Sequence, residues 1–244
     1  MNNPLVTIIT PTTGTIYLKQ CIESVNAQSY MNIEHLVVVD GQHNSACDIL
    51  KEYQMMPKIK ILKLPFATGK DKYNGHRIYG GCTFFMNGDY VIFLDEDNWL
   101  EPNHVQSLVD AIGQNKWAYS LRKITDMEGN YICNDDCESL GNWKSVLNDN
   151  FVDVNCYMLH KSLALNFAPG WYRRARHPQE QPEVDRLLSW WLKDNDFNAN
   201  CTGEYTVNYR AGNREDSVKP EFFIRGNEIM REGYGGQFPW RKKI

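Results

Sequence analysis

The chain has 244 residues, 42% hydrophobic and 12% aromatic, enough to bury the core of one large α/β domain or of one domain with an appendage. A formal net charge of -4 argues against a nucleic-acid binder, which neutralises phosphates with a basic face. No apolar run approaches bilayer length, and Met1 to Thr15 lacks the basic start and long apolar stretch of a secretory signal, so the reading is a cytoplasmic protein. Seven cysteines, odd in number and with only Cys133 and Cys137 close together, fit reduced thiols better than a zinc site or a disulfide framework.

Taken in chain order, Leu5 to Thr10 is a β-branched run ended by Pro11 and reads as a buried first strand. Leu18, Cys21, Ile22 and Val25 then mark one face of a helix. Leu36 to Val39 is a second strand ending at Asp40-Gly41, followed by a helical stretch from Ala46 to Gln54 and a third strand at Ile59 to Leu62. A polar helical segment from Lys70 to Met86 leads into the strand Tyr90 to Leu94, and Val105, Leu108, Val109 and Ile112 mark another helix. This alternation predicts a mostly parallel sheet with helices on both faces. After Trp117 the pattern is mixed: two strands around Gly129-Asn130, an irregular segment from Asn134 to Asn150, a strand from Phe151 to Leu159, a helix with Val184, Leu187, Leu188, Trp191 and Leu192, and a strand from Glu204 to Tyr209. From Gly226 the glycines and Pro239 predict a mobile or irregularly docked tail. The expected organisation is a nucleotide-binding half at 1–115, an acceptor-binding half of the same domain at 116–225, and a tail at 226–244.

The most informative feature lies at the end of the fourth strand, where an apolar run stops at Asp95-Glu96-Asp97. On an extended backbone, positions two apart share a face, so Asp95 and Asp97 can converge on one cation. Parallel sheets bind ligands at their strand carboxyl ends, and carboxylates there can hold Mg²⁺ or Mn²⁺ against a diphosphate. Alone, the triplet reads equally well as a solvated loop or a helix cap.

The order of motifs changes that balance. Val6-Thr7-Ile8-Ile9-Thr10-Pro11-Thr12, Val37-Val38-Val39-Asp40-Gly41, Asn74 to Gly80 and, most strongly, Gly88 to Pro102 make the chain resemble glycosyltransferase family 2, inverting enzymes of the GT-A fold. The resemblance covers residues 4 to 112 and is patchier afterwards. It implies a Rossmann-like α/β sheet joined to a mixed acceptor-side region, and a nucleotide-sugar donor, UDP-linked, held by Thr10, Pro11, Thr12, Asp40, Arg77, Asp95 and Glu96. Asp40 would accept the imide N–H of a uracil, and Arg77 would meet the diphosphate or the base, although the residues around Arg77 depart from the family pattern. Asp97 would ligate Mn²⁺ or Mg²⁺ directly, Asp95 would contact the ribose or the metal through water, and Glu96 would point away from the metal. His160 and His177 are the candidates for a third metal ligand, with isolated histidines more often hydrogen-bonded or surface residues.

An inverting transfer needs one carboxylate to take the proton of the acceptor hydroxyl. Glu183-Val184-Asp185, opening an amphipathic helix, resembles the family's Glu-Asp segment and makes Asp185 the expected base. Val184 stands where the family has the Glu, which puts Glu183 forward as runner-up. Acids in a helix's first turn also offset its dipole without any catalytic role. Trp171, Tyr172 and Arg173, Arg174 and Arg176 form either a clamp for an anionic group with a stacking surface for a sugar or an ordinary charged loop. Tyr209-Arg210 with Asn213, Arg214 and Ser217 resembles a segment that closes over the donor, without the histidine the family commonly has there.

The implied acceptor is a glycan or lipid-linked saccharide. A weak peripheral contact with the inner face of a membrane through Trp240 and Arg241-Lys242-Lys243 competes with a solvated terminus, which is the favoured reading. Two other functions are compatible with such a sheet: a sugar nucleotidyltransferase, disfavoured because Thr12-Thr13-Gly14-Thr15 is neither glycine-rich nor basic, and a non-catalytic nucleotide-sugar binder.

Overall fold

A computed structural model describes residues 3–70, 73–173, 184–195, 198–212 and 217–242. Its strands are β1 Val6–Thr12, β2 Ile33–Val39, β3 Ile59–Lys63, β4 Tyr90–Phe93, β5 Trp99–Leu100, β6 Trp117–Thr125, β7 Tyr131–Asn134, β8 Tyr157–His160 and β9 Asn200–Arg210. The helices are α1 Leu18–Asn26, α2 Asn44–Leu50, α3 His76–Cys82, α4 His104–Ile112, α5 Lys161–Phe167, α6 Val184–Asp194 and α7 Pro220–Gly233.

All strands join one sheet in the order β3-β2-β1-β4-β8-β6-β9-β5, with β7 added to β6. β1 pairs in parallel with β2 and β4, and β2 with β3. Every residue of β1 and β2 is buried, as expected where helices cover both faces of a parallel sheet. On β2, Leu36 and Val38 join the main core while Val37 and Val39 join a second cluster under α1 and α2. β3 closes the edge with Lys60 and Lys63 exposed, charges that discourage further strand pairing. β8 runs antiparallel to β4 and β6, so the mixed second half extends the same sheet. One core runs from Val6 through Tyr157 and Leu188 to Val207.

Four segments differ from expectation, each for a local reason. The helix expected over 70–86 is confined to His76–Cys82, because Asn74 at φ 48 and Gly75 turn the chain just before it. Only the end of the strand expected over 151–159 forms: the Asp153 carboxylate accepts from the Asn155 N–H and bends Val154–Cys156 into a 3₁₀ turn. α5 was not expected; the His160 ring accepts from the Ser162 N–H and caps its start. Finally, 226 is not the beginning of a tail but lies inside α7, which starts with Pro220 at its first turn. Gly226 does not break this helix. It lets α7 approach Cys137, whose Sγ would lie 2.6 Å from a Cβ at that position.

Residues after α7 are docked rather than free. Trp240 is 1% exposed, donates its Nε1–H to Asp136 at 2.8 Å and packs among Trp143, Tyr234 and Phe238. It is therefore not available as a membrane anchor, and Arg241 pairs with the same Asp136. Lys243 lies outside the described residues. All seven cysteines are free thiols, and no described helix is long and apolar enough to cross a membrane.

Candidate active site

The crevice is set by unequal strand lengths. β4 stops at Phe93, opposite Ile9, whereas β1 continues to Thr12 paired only with β2. The chain leaves β1 toward β2 on one side and meets β4 on the other, so this is a topological switch point, where open α/β sheets bind ligands. Glu96 bolts its two lips together. Its carboxylate accepts from Thr12 Oγ1 at 2.6 Å, from the Thr13 N–H and Oγ1 at 2.8 and 2.9 Å, and from the Thr15 N–H at 3.0 Å. Glu96 thus orders the loop after β1.

Asp95 is held from two sides. Tyr79 on α3 donates to Oδ1 at 2.6 Å, and Asn155 in the 3₁₀ turn donates to Oδ2 at 3.1 Å while its Oδ1 accepts the Asp95 N–H at 2.7 Å. Burial raises the Asp95 pKa, with the Tyr79 and Asn155 hydrogen bonds pulling the other way and the Asp153 charge adding to the rise. Asp97 follows in the turn where the Asn98 N–H reaches the Asp95 carbonyl at 3.1 Å. Arg210, at the end of β9, locks that turn: its backbone N–H bonds Asn98 Oδ1 at 3.0 Å, its Nε donates to the Asp97 carbonyl at 3.0 Å, and its Nη atoms reach Met127 O and Gln20. Arg210 is 2% exposed and covers Tyr17 and Trp99, so it is a fixed clamp on the acid turn.

Asp185 lies in the first turn of α6. Burial raises its pKa; the His76 charge lowers it and the Asp153 charge raises it. His76, at the start of α3, has its pKa lowered by burial, and the charges of Asp185 and Asp95 both act against that shift. Its ring stacks on Trp171 at 5.5 Å, its Nδ1 is buried without a partner, and burial keeps its pKa down. Glu183, the runner-up base, lies outside the described residues.

On the donor side, the Asp40 carboxylate accepts the N–H groups of Thr68 and Gly69 at 2.6 and 2.9 Å, so it shapes the loop beside α3. Each carboxylate oxygen keeps a second lone pair for a ligand. Arg77 is turned onto that loop as well, donating to the Thr68 carbonyl at 3.0 Å and lying 3.7 Å over the Tyr73 ring. The Thr10 side chain is taken up in the interior, where it bonds the His35 ring at 2.9 Å. Pro11 packs on Gly75, where a Cβ would lie 2.5 Å from the proline Cγ, so a glycine is required for α3 to approach β1. Thr10, Pro11 and Thr12 thus end β1 with their side chains engaged by His35, Gly75 and Glu96 respectively.

Several residues offered by the sequence do not join this site. His160 bonds Ser162, meets the Tyr90 ring edge-on and pairs opposite Tyr90 at the start of β4, the end of that strand away from Asp95 and Asp97. Trp171 is fully buried against Phe93, Tyr79 and Phe167 and offers no stacking face to a sugar. His177, Arg174, Arg176, Asn213 and Arg214 lie outside the described residues. Conversely, Tyr79 and Asn155, which hold Asp95, and His76 beside them were not singled out by motif reading, while Arg210, singled out as part of a segment closing over the donor, is fixed on the acid turn. Tyr79 and His76 sit inside the 74–80 motif, three residues apart on one helix face, a spacing that aims both at the same spot.

The donor set suits one kind of metal. Among the described residues no group of three or more His, Cys, Asp or Glu side chains converges, which excludes a four-ligand zinc site there. Two hard carboxylates, with substrate phosphates and water completing the shell, are what Mg²⁺ or Mn²⁺ accepts. Asp97 and Asp95 fit that role.

Comparison with known proteins bears directly on this mostly parallel α/β sheet with an acidic turn at its switch point. The model of the family "Glycosyl transferase family 2" matches residues 7–163, and the chain belongs to that family. Glycosyltransferase GlyA of Streptococcus pneumoniae is 31% identical over 108 residues, covering 44% of this chain and 15% of GlyA. Three such curated relatives are spanned to only 15%, 32% and 52% of their own lengths. Among solved structures, Staphylococcus aureus TarS 1-349 in complex with UDP-GlcNAc matches with a TM-score of 0.63 at 14% identity, over 93% of this chain and 66% of that one. Mannosyltransferase PcManGT from Pyrobaculum calidifontis, in complex with GDP-Man and Mn2+, matches with a TM-score of 0.63 at 10% identity, over 95% and 70%. At such identities these likenesses establish the fold, which is GT-A.

Proposed function

We propose that the chain is a metal-dependent inverting glycosyltransferase that moves a sugar from a nucleotide-sugar donor, UDP-linked, to a hydroxyl of a glycan or lipid-linked acceptor. The observation that carries this reading is the Asp95-Glu96-Asp97 turn, fixed by Tyr79, Asn155 and the loop after β1, at the switch point of a family 2 chain. Asp40 and the loop it orders receive the base, with one free lone pair on each carboxylate oxygen to accept an imide N–H. Asp97 holds Mn²⁺ or Mg²⁺, and Asp95, fixed by Tyr79 and Asn155, supports it through water or meets the ribose. When bound, the cation neutralises charge on the departing diphosphate.

Asp185 takes the proton from the acceptor hydroxyl as that oxygen attacks the anomeric carbon opposite the diphosphate. Its raised pKa suits a general base, since burial makes the ionised form more eager for a proton. Seven unbridged thiols support a cytoplasmic setting, where donor is consumed at or near the inner face of a membrane.

A thermal-shift panel of UDP, GDP, CDP and dTDP with and without Mn²⁺ tests the donor assignment. The expected result is a Mn²⁺-dependent rise in Tm that is largest with UDP. A larger rise with GDP would overturn the role given to Asp40.

A further inference from the structure

A chain of buried polar contacts leads away from Asp95 and returns to the crevice at α6. Asn155 Nδ2, which donates to Asp95, also donates to Asp153 Oδ1 at 2.8 Å. The other Asp153 oxygen accepts from Arg122 Nη1, and Arg122 Nη2 donates to Glu138 Oε2 at 2.6 Å. The second Glu138 oxygen accepts from Arg186 Nη2 at 2.6 Å, and Arg186 Nη1 pairs with Asp149 at 2.7 Å. Arg186 is the residue next to Asp185. Arg122 also donates its Nε to Asp135 at 2.8 Å, so three edges of one guanidinium hold three carboxylates.

Resting on the glycosyltransferase reading, we propose that the Arg122 cluster is a single positioning unit that fixes Asp95 and the first turn of α6 relative to one another. Stability alone gives no reason for such a cluster, because desolvating ion pairs costs about as much as their attraction returns, and apolar side chains would fill the space as well. Geometry does give a reason. The planar fork of an arginine holds each partner in one direction, and every member here is immobilised again: Arg122 lies over Tyr209 and Phe223, Arg186 over Phe151, and Asp135 takes the N–H groups of Cys137, Glu138 and Ser139. The two ends differ in what they position. Asn155 acts through Asp95 on the metal and donor side, and Arg186 acts through the start of α6 on the base.

The test is a double-mutant cycle of Asn155→Ser, Arg186→Gln and the pair, read in Tm, in Mn²⁺–UDP affinity and in donor turnover. Arg186→Lys replaces Arg186→Gln should the latter fail to fold. Because the two residues do not touch, independent sites would give additive Tm losses. A single unit gives a double variant that loses at least about 2 °C less than the sum. Asn155→Ser is expected to weaken Mn²⁺–UDP binding by about tenfold or more, as loss of the group orienting a metal-side ligand does. Arg186→Gln is expected to leave that affinity intact and to lower kcat by about tenfold or more through misplacement of the base, with part restored in Arg186→Lys. Additive Tm losses, or an Arg186→Gln variant with unchanged kcat, would overturn the proposal. A wild-type chain that neither binds nucleotide nor turns over donor would refute the functional reading, and with it any positioning role, while the Tm cycle still reports whether the cluster is one unit.

Discussion

Replacing Asp185 by asparagine is expected to lower turnover by about 10²–10⁴-fold, the usual worth of a positioned general base, while nucleotide affinity is unchanged. The substitution keeps size and removes the proton acceptor. Asp185 is not among the residues proposed to hold the base, the ribose or the metal, so donor contacts survive. The pH profile provides an independent check. Burial raises the Asp185 pKa above the 3.8 of an unperturbed aspartate, partly offset by the His76 charge. A base must be ionised to act, so kcat/KM should fall in acid along a limb whose midpoint lies above 3.8 and which belongs jointly to Asp185, His76 and Asp95. The sign for stability is opposite to that of a salt-bridged carboxylate. A raised folded pKa favours the protonated fold, so the benefit is complete below the unfolded pKa and is lost as pH rises through the folded one. Full turnover in Asp185→Asn would remove this residue from catalysis.

Arg122→Met has the largest expected effect on stability. The residue is 2% exposed, and its guanidinium faces Asp135, Glu138 and Asp153. Removing one partner of a buried pair typically costs about 3–5 kcal/mol, because the remaining charge is left desolvated and unpaired. In a chain of this size that corresponds to a fall in Tm of roughly 6–20 °C. Methionine nearly matches the arginine stem in volume, so the loss reports charge rather than a cavity. Part of it should return at low pH, where the three carboxylates can take up protons. A Tm within a degree of wild type at neutral pH would mean that the carboxylates are not charged against Arg122 in the fold.

The positions of the candidate residues were legible where apolar periodicity changes. Asp40 and the Asp95-Glu96-Asp97 turn follow the ends of β2 and β4, and Asp185 stands in the first turn of α6, as the apolar patterns predicted. Legibility fails where a side chain's role depends on a distant partner. Glu96 was expected from the resemblance to point away from the metal, but the loop that its carboxylate orders is more than eighty residues earlier in the chain. Thr10 sits in the right motif, yet its hydroxyl is claimed by His35 from the neighbouring strand. Arg122 reads as an ordinary polar residue in a strand, and its burial becomes visible only once α7 brings Phe223 over it. That helix was hidden in turn by Gly226, which marks a close approach to Cys137 and reads locally as a breaker. Trp240 and its basic neighbours read as a solvated terminus or a weak membrane contact for the same reason, since nothing local reveals the Asp136 carboxylate that receives Trp240 and Arg241.

The most direct test of the account is calorimetric titration of UDP into the wild-type chain and into Asp97→Ala, each with Mn²⁺ and with a chelator. The account predicts binding by the wild type that is strong with Mn²⁺ and lost with chelator, and no Mn²⁺-dependent binding by Asp97→Ala. Equal affinity of the two proteins for UDP in Mn²⁺, or wild-type binding indifferent to the metal, would contradict it.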